Sequence, residues 1–275
     1  MSCENFLETP SQSTLDESLI FSNPTLAASA IDGIKVPFGE TNSYRGRYLT
    51  HYGSNSDIEW NNTSGTVNAR TDLARYVNSP TNTDMNTANN AWAMMYSGIE
   101  RANICIRGIR NFGNPAPGNE MGQLLGEALT LRAIFYADLL KAWGDVVARF
   151  EPVSSETMYL PKSSREVIYK QLIADLEEAA TLVAWPNETA RTMNTEQINK
   201  AFVKAFRARL CLAAPYLKQI RQRAFKQSDW PTKVDAYISA LSGKEQMFNA
   251  IVKEQAFEFC GLWKSIRALI LSRPL

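Results

Sequence analysis

The stretch from Gly126 to Val146 limits the possible folds of this chain more than any other segment. Apolar residues recur in and just before it at three- and four-residue spacing, which is typical of one face of an α-helix. These residues are Leu124, Ala128, Leu131, Phe135, Leu139 and Ala142. A second apolar row, which includes Leu129, Tyr136 and Leu140, lies beside the first and leaves little of the circumference polar. We therefore expect this helix to be buried among others and to end at Trp143-Gly144-Asp145.

The same periodicity predicts further helices on both sides of this segment. They are expected over residues 92–109, 167–183 and 194–215, with shorter helices over 66–78 and within 21–34, the last beginning near Asn23-Pro24. Ser163-Ser164 followed by Glu166 is a helix-start signal before the second of these. Helices joined by loops form αα-hairpins, and stacked hairpins are the architecture of tetratricopeptide repeats. An irregular helical bundle fits the pattern equally well, and either arrangement makes the domain all-α.

Composition excludes some classes of function. A chain of 275 residues with 45% hydrophobic residues can bury a sizeable core. Its 29 Lys and Arg residues against 28 Asp and Glu residues leave a formal net charge of +1, so nucleic acid is not an expected partner. No apolar run reaches the roughly 18 residues that a membrane-spanning helix needs. Any membrane attachment is therefore expected to be covalent or peripheral.

Residues for catalysis or metal binding are scarce. His51 is the only histidine, and the four cysteines form no CxxC pair, so no metal site and no cofactor are expected. Asp57 and Glu59 could in principle form the carboxylate pair of a glycosidase, but neighbouring acids are common in loops and we expect no enzyme. Arg132, on the apolar helix, is expected to form a structural ion pair. Its candidate partners are Glu127, Asp138 and Asp145.

The cysteines fall into two groups. Cys105, Cys211 and Cys260 lie within apolar helical patterns and are expected to be small buried hydrophobic residues. Cys3 instead precedes a polar segment. From the residues alone, Cys3 is either a lipid acceptor or an incidental thiol near the chain start.

Several separate blocks resemble the SusD/RagB family, in order and in spacing. They are Trp92…Tyr96-Ser97-Gly98-Ile99…Ala102-Asn103, Gly126-Glu127-Ala128…Leu131-Arg132-Ala133…Trp143-Gly144-Asp145-Val146, Arg165…Tyr169…Leu172-Ile173…Asp175-Leu176 and Asn199-Lys200-Ala201…Ala208-Arg209-Leu210. The segment from Cys3 to Pro10 looks like the mature start of these lipoproteins. The resemblance covers most of residues 3–217.

This resemblance implies a non-enzymatic, lipid-anchored outer-membrane protein at the cell surface, with Cys3 as the lipidation site. Such a protein binds a nutrient, usually a glycan although a peptide is possible, and delivers it to a SusC-like TonB-dependent transporter. The implied fold is all-α, with tetratricopeptide-like hairpins and long irregular loops. Residues 1–22 would be an extended lipoprotein leader, residues 23–217 the helical domain and residues 218–275 a shortened C-terminal remnant.

Two departures from the family pattern qualify these expectations. Val147 stands where the family commonly has proline after the Trp-Gly-Asp-Val block. Near the end, Glu258-Phe259-Cys260-Gly261 is followed by Leu262-Trp263-Lys264, so the Glu and Arg of the family's later motif are missing. The resemblance therefore implies that the family's ligand-contributing portion is truncated or collapsed into residues 218–275.

An aromatic and polar segment over residues 37–62, without a clean period, is the predicted ligand surface. Sugar rings present apolar faces and a rim of hydroxyl groups, so a glycan site needs aromatic platforms beside polar partners. The predicted platforms are Tyr44, Tyr48, Tyr52 and Trp60, and the predicted polar partners are Asn42, Arg45, Arg47, Asp57, Asn61 and Asn62. Two alternatives stay open: the aromatic side chains could simply pack the loop, and the chain could be a protein-interaction scaffold that binds no glycan.

Overall fold

The computed structural model describes residues 16–52, 69–74, 79–194 and 196–223, and this part of the chain is mostly helical. The helices are α1 (Glu17–Ser22), α2 (Pro24–Ile34), α3 (Val36–Gly39), α4 (Ala69–Ala74), α5 (Ala91–Phe112), α6 (Glu120–Trp143), α7 (Arg165–Leu182) and α8 (Lys200–Arg223), with a π-helical segment at Tyr44–Tyr52. Two short strands, β1 (Val146–Val147) and β2 (Lys162–Ser163), form one antiparallel pair. The prediction of an all-α fold is confirmed.

The chain divides into two compact units. Within the described residues, the first unit contains the chain up to Arg132 together with Arg149–Met158. The second contains Ala133–Ala148 and the chain from Tyr159 onward. Helix α6 contributes residues to both units.

In the first unit, α1 and α2 pack against α5. Arg107 of α5 forms an ion pair with Glu17 of α1 at 2.9 Å, and Arg101 Nη1 donates to the carbonyl of Gly33 at 2.8 Å. Helix α1 therefore packs on the C-terminal half of α5, and the end of α2 lies nearer the middle of α5. Between them lies an apolar core that includes Ala27, Ile31, Ile34, Met95, Ile99 and Ile109, all essentially inaccessible to solvent.

A buried polar network fixes the loop around Phe150 in the same unit. Asn103 Nδ2 donates to the carbonyls of Arg149 and Glu151 at 3.2 and 3.1 Å. Arg132 Nη1 donates to Asn103 Oδ1 at 2.9 Å and to the Phe150 carbonyl at 2.8 Å. The guanidinium carbon of Arg132 also lies 5.2 Å from the centre of the Phe150 ring. Backbone and amide oxygens are thus among the partners of Arg132, and the predicted ion pair with a carboxylate stays a prediction.

The carboxylates predicted as partners of Arg132 have bonds of their own. Asp138 pairs with Lys141 at 2.8 Å, and Asp145 pairs with Arg165 at 3.2 Å. Glu127 is fully buried and accepts a hydrogen bond from Gln123 at 2.9 Å.

In the second unit, α7 and α8 form an αα-hairpin. The backbone N–H of Lys200, at the start of α8, donates to the carbonyl of Ala184, just after the end of α7, at 2.8 Å. Further along α8, Arg207 pairs with Glu177 of α7 at 3.0 Å. The two helices are therefore antiparallel, as the sequence predicted. Leu172, Leu176, Ala179, Ala201, Val203 and Leu210 are buried on these helices.

Gly144 ends α6 with a φ of +79°, a conformation that glycine adopts without strain, so the predicted stop is confirmed. Ser164 occupies the N-cap position of α7, but its side chain makes no capping hydrogen bond. The strand pair then joins Val146 to Ser163 and Val147 to Lys162.

The structure differs from the sequence prediction at several boundaries. Residues 17–22 are helical, where an extended leader was expected, because burial of Phe21 against α5 stabilises this turn. By contrast, α2 begins where the sequence predicted, at Asn23-Pro24, and the side chain of Asn23 accepts from the N–H groups of Thr25 and Leu26. Part of the expected irregular region, Tyr44–Tyr52, is π-helical.

Helix α8 shows the largest difference. It begins at Lys200 rather than near Asn194, with the side chain of Asn199 accepting from the N–H of Phe202 at 3.1 Å. It also continues to Arg223, so the predicted end at Pro215 is wrong. A proline removes one backbone hydrogen bond and disfavours the preceding turn, but it bends helices as well as ending them. The helix passes residue 217, where the sequence analysis had placed a domain boundary.

Cys105 is buried, as predicted, whereas Cys211 is partly exposed. Cys3 and Cys260 lie outside the described residues. Among the helices that the structure describes, none is long and apolar enough to cross a membrane.

Candidate functional site

The described part of the predicted aromatic region ends at Tyr52. Tyr44, Arg45, Arg47, Tyr48 and Tyr52 belong to the π-helical segment, and Asn42 precedes it. The other predicted ligand residues, Asp57, Trp60, Asn61 and Asn62, lie outside the described residues, as does Cys3.

Backbone hydrogen bonds between residues five apart give the segment its π-helical form. The N–H groups of Arg45 and Tyr48 donate five residues back, to the carbonyls of Glu40 and Ser43, at 3.2 and 2.7 Å. A side chain at Gly46 would overlap the carbonyl of Thr41, so the close approach of these two turns requires glycine. π-Helical turns are rare and often occur at functional sites.

Three aromatic rings pack edge to face at the start of this segment. Tyr44 is 5% exposed, and its ring centre lies 4.7 Å from that of Phe38 and 5.1 Å from that of Tyr48. Such contacts add to the free energy gained from burial. Tyr44 therefore has the geometry of the packing alternative. Tyr48 is only partly buried and keeps some of its ring at the surface.

The polar residues of the segment attach it to the turn at residues 84–88. Arg47 Nη1 donates to the carbonyl of Asp84 at 3.0 Å and to the hydroxyl of Thr87, and Arg47 Nη2 lies 3.6 Å from the Asp84 carboxylate. Asn42 Nδ2 donates to the carbonyl of Ala88 at 3.0 Å. Arg45, which is exposed, donates to the hydroxyl of Thr41. The segment is thus held to the helical scaffold by charge-assisted and amide hydrogen bonds.

A surface cleft in the second unit brings together residues that the sequence analysis did not predict to be functional. Its volume is about 460 Å³, and its lining residues are Glu177, Ala180, Thr181, Trp185, Lys200, Lys204 and Arg207. The Nζ atoms of Lys200 and Lys204 lie 5.8 and 5.5 Å from the centre of the Trp185 ring. Trp185 lies just after the end of α7, and the lysines become its neighbours because the α7–α8 hairpin closes there.

In the ranges for which positions are described, no group of three or more His, Cys, Asp or Glu side chains could hold a metal ion.

Comparison with known proteins agrees with the helical fold. A model of the SusD-like family, SusD-like_3, described as "Starch-binding associating with outer membrane", matches residues 5–212. The SusD-like protein P38 of Formosa agariphila is 28% identical over 184 residues, which are 65% of this chain and 34% of that protein. The chain thus spans about a third of the length of that curated relative.

Solved structures show the same fold. A SusD homolog from Bacteroides thetaiotaomicron superposes with a TM-score of 0.63 at 22% identity, over 83% of this chain and 42% of that one. A laminarin-binding SusD-like protein gives a TM-score of 0.56 at 18% identity, over 70% of this chain and 40% of the other. The surface glycan-binding protein A from Bacteroides uniformis gives 0.58 at 18% identity, over 73% and 44%. With a family model matching most of its length and these structures sharing its fold, the chain belongs to the SusD-like family.

Proposed function

We propose that this chain is a non-enzymatic carbohydrate-binding protein of the bacterial outer membrane, which passes its ligand to a SusC-like TonB-dependent transporter. The main support is the family model for starch-binding, outer-membrane-associated proteins, which matches residues 5–212. A structural neighbour that binds laminarin also supports a glycan ligand. The chain spans less than half the length of these neighbours. The partnership with a transporter is therefore a proposal.

We place the glycan-contacting surface in the aromatic segment. Tyr48, Tyr52 and Trp60 are the proposed platforms, and Arg45 is an exposed donor for sugar hydroxyl groups. Asp57, Asn61 and Asn62 are the proposed polar partners from the same stretch. Tyr44, Asn42 and Arg47 support the surface, because their rings and donors hold the segment to the scaffold.

Cys3 is the proposed lipidation site, and the residues that precede α1 are the proposed leader between the lipid and the helical domain. A single acyl chain gives only marginal binding to a membrane, so the multiply acylated cysteine of bacterial lipoproteins suits a stable anchor better.

Affinity electrophoresis in native gels that contain single polysaccharides, starch and laminarin among them, tests the binding function. We expect at least one polysaccharide to retard the chain. Tyr48→Ala should weaken that retardation, because it removes a partly exposed ring from the segment. Tyr159→Ala is the matched control: Tyr159 is 91% exposed and lies outside the segment. Absence of retardation by every polysaccharide would contradict the proposal.

A protein-interaction scaffold is the second candidate. The observation that favours it is the partly exposed Phe202 on α8, whose ring stacks on Phe206 at 5.8 Å. Co-purification from detergent-solubilised outer membranes separates the candidates. A TonB-dependent transporter recovered with a chain that no polysaccharide retards would indicate the scaffold, whereas retardation together with the transporter supports the main proposal.

A further inference from the structure

We propose that the cleft lined by Trp185 and Lys200 is a binding site for an acidic sugar, one that carries a carboxylate or a sulfate on its ring. This inference rests on the proposed function, since it specifies a ligand class for a carbohydrate-binding protein. The site lies on the α7–α8 hairpin and shares no residue with the π-helical segment at Tyr44–Tyr52.

The charges of the cleft favour an anion. Three cationic side chains and one carboxylate line it, which gives the lining a formal charge of +2. The carboxylate, that of Glu177, is 3.0 Å from Arg207 and so neutralises the guanidinium rather than the lysines. The nearby Glu188 accepts from the backbone N–H of Trp185 at 2.6 Å and is exposed. The cationic side chains of the lining therefore outnumber its carboxylate by two.

Both lysines lie against one indole ring. Their Nζ atoms are 5.8 and 5.5 Å from its centre, within the range of cation–π attraction. An anion bound beside this ring would be attracted by both ammonium groups. The spacing of Lys200 and Lys204 by four residues puts them on one face of α8, so the helix itself holds this pair toward the cleft.

Arg207 adds hydrogen-bonding capacity next to the lysines. Its side chain is about a quarter exposed and one Nη atom pairs with Glu177. Its Nε is buried and has no hydrogen-bond partner within the described part of the chain. A guanidinium binds planar oxyanions through two parallel donors, so a small rotation of this side chain would present a fork to a carboxylate or sulfate.

The cleft is larger and more apolar than a bare anion requires. About 460 Å³ falls in the range of small-molecule sites, and Trp185 and Ala180 provide an apolar wall beside the hydroxyl of Thr181. The C–H face of a sugar can pack against the edge or face of an indole. An acidic substituent on a sugar that packs there would lie near both ammonium groups, because they surround the same ring.

Isothermal titration of the full chain with defined oligosaccharides tests the inference. The probes are a tetragalacturonate, a sulfated galactan tetrasaccharide and a neutral galactotetraose, with inorganic sulfate as the bare anion. We expect both acidic sugars to bind more tightly than the neutral one, by about tenfold or more. Raising the salt concentration from about 50 mM to about 500 mM should weaken the binding of the acidic sugars, because salt screens exposed charges.

The double variant Lys200→Gln/Lys204→Gln should weaken the binding of the acidic sugars about tenfold or more and leave the affinity for the neutral sugar unchanged. Lys162→Gln/Lys170→Gln is the matched control, since it removes the same charge from exposed positions in the same unit that do not line the cleft. Trp185→Ala should weaken the binding of acidic sugars as well. Circular dichroism would show whether each variant keeps the helical fold. If the Trp185→Ala variant unfolds, the double lysine variant alone tests the inference.

The outcomes separate this inference from the proposed function. Binding of neutral polysaccharides without a preference for acidic sugars overturns the inference and leaves the proposed function intact. Unchanged affinity in the lysine variant overturns it too, and so does inorganic sulfate that binds as tightly as the sulfated sugar, which would indicate a site for bare anions. Failure to bind any carbohydrate overturns both.

Discussion

A methyl group at Gly108 would overlap the ring of Phe21, because this ring packs directly on the glycine of α5. Gly108→Ala is therefore expected to destabilise the fold by about 1–3 kcal/mol, as overpacking of a core does. This cost exceeds the gain of about 1 kcal/mol that alanine brings to a helix interior. Urea unfolding followed by circular dichroism measures the difference.

Gly33 provides the matched control for this prediction. It also lies within a helix, α2, but nothing occupies the space within 4 Å of a Cβ at this position. Gly33→Ala should therefore raise the free energy of unfolding by up to about 1 kcal/mol. Equal stability of the two variants would contradict the close packing of Phe21 on Gly108.

Cys105 gives the fold a dependence on alkaline pH. Its side chain is 3% exposed, and burial raises the pKa of its thiol from 9.0 to about 12. A group with a higher pKa in the folded chain contributes its full stability below its unfolded pKa and loses that contribution as the pH rises toward the folded value. The free energy of unfolding should therefore fall as the pH increases above about 9, by up to about 1.4 kcal/mol per pH unit.

The variant Cys105→Ala isolates this effect, because it lacks the thiol while other alkaline titrations continue. Between about pH 9 and about pH 11, its free energy of unfolding should fall less steeply than that of the original chain. Urea unfolding at a series of pH values gives both slopes. Parallel slopes would show that the Cys105 thiol ionises as readily in the folded chain as in the unfolded one.

At the scale of elements, the N-cap residues distinguish helices that begin in similar sequence contexts. The side chain of Asn90 accepts from the N–H of Ala93 at 3.0 Å, whereas Ser164, at the same position of α7, makes no such bond. Asn90→Ala is expected to destabilise the fold by about 1 kcal/mol, and Ser164→Ala by less than about 0.5 kcal/mol. Thermal unfolding of the two variants compares them directly, and an equal loss would contradict the assigned caps.

The predictable elements are those whose sequence carries both a periodic apolar face and a stop signal. Helices α5, α6 and α7 were predicted close to their observed bounds, since apolar spacing and Gly144 are local features. The start of α8 depends instead on the hydrogen bond from the N–H of Lys200 to the carbonyl of Ala184. The π-helical turns depend on backbone hydrogen bonds between residues five apart, and such bonds have no periodic pattern in the sequence. Local patterns do not contain such tertiary contacts.

The same distinction applies to the candidate sites. The aromatic segment could be selected from sequence because tyrosines and polar residues alternate within one short stretch. The buried position of Tyr44 could not be predicted from sequence, because it depends on the packing of Phe38 and Tyr48 against its ring. The cleft was not predicted at all: Trp185 and Lys204 are 19 residues apart, and only the antiparallel pairing of α7 and α8 brings them together.

At the scale of the whole molecule, the proposed function requires that the chain stay attached to the outer membrane through Cys3. In cells that express the protein from its native gene, the original chain should be found in the membrane fraction, with acyl groups on Cys3 detectable by mass spectrometry of the N-terminal peptide. Cys3→Ala removes the thiol that carries the lipid, and the multiply acylated cysteine is what makes such attachment stable. This variant should therefore move to the soluble fraction.

Cys211→Ala is the control for this experiment, because it also removes a thiol, from a partly exposed position on α8. It should stay in the membrane fraction. An unmodified Cys3 in membranes, or equal distribution of the two variants, would overturn the lipid anchor. The binding surfaces are tested separately: a released Cys3→Ala chain that polysaccharides still retard in native gels would show that the anchor holds the protein at the membrane and the helical domain carries the ligand.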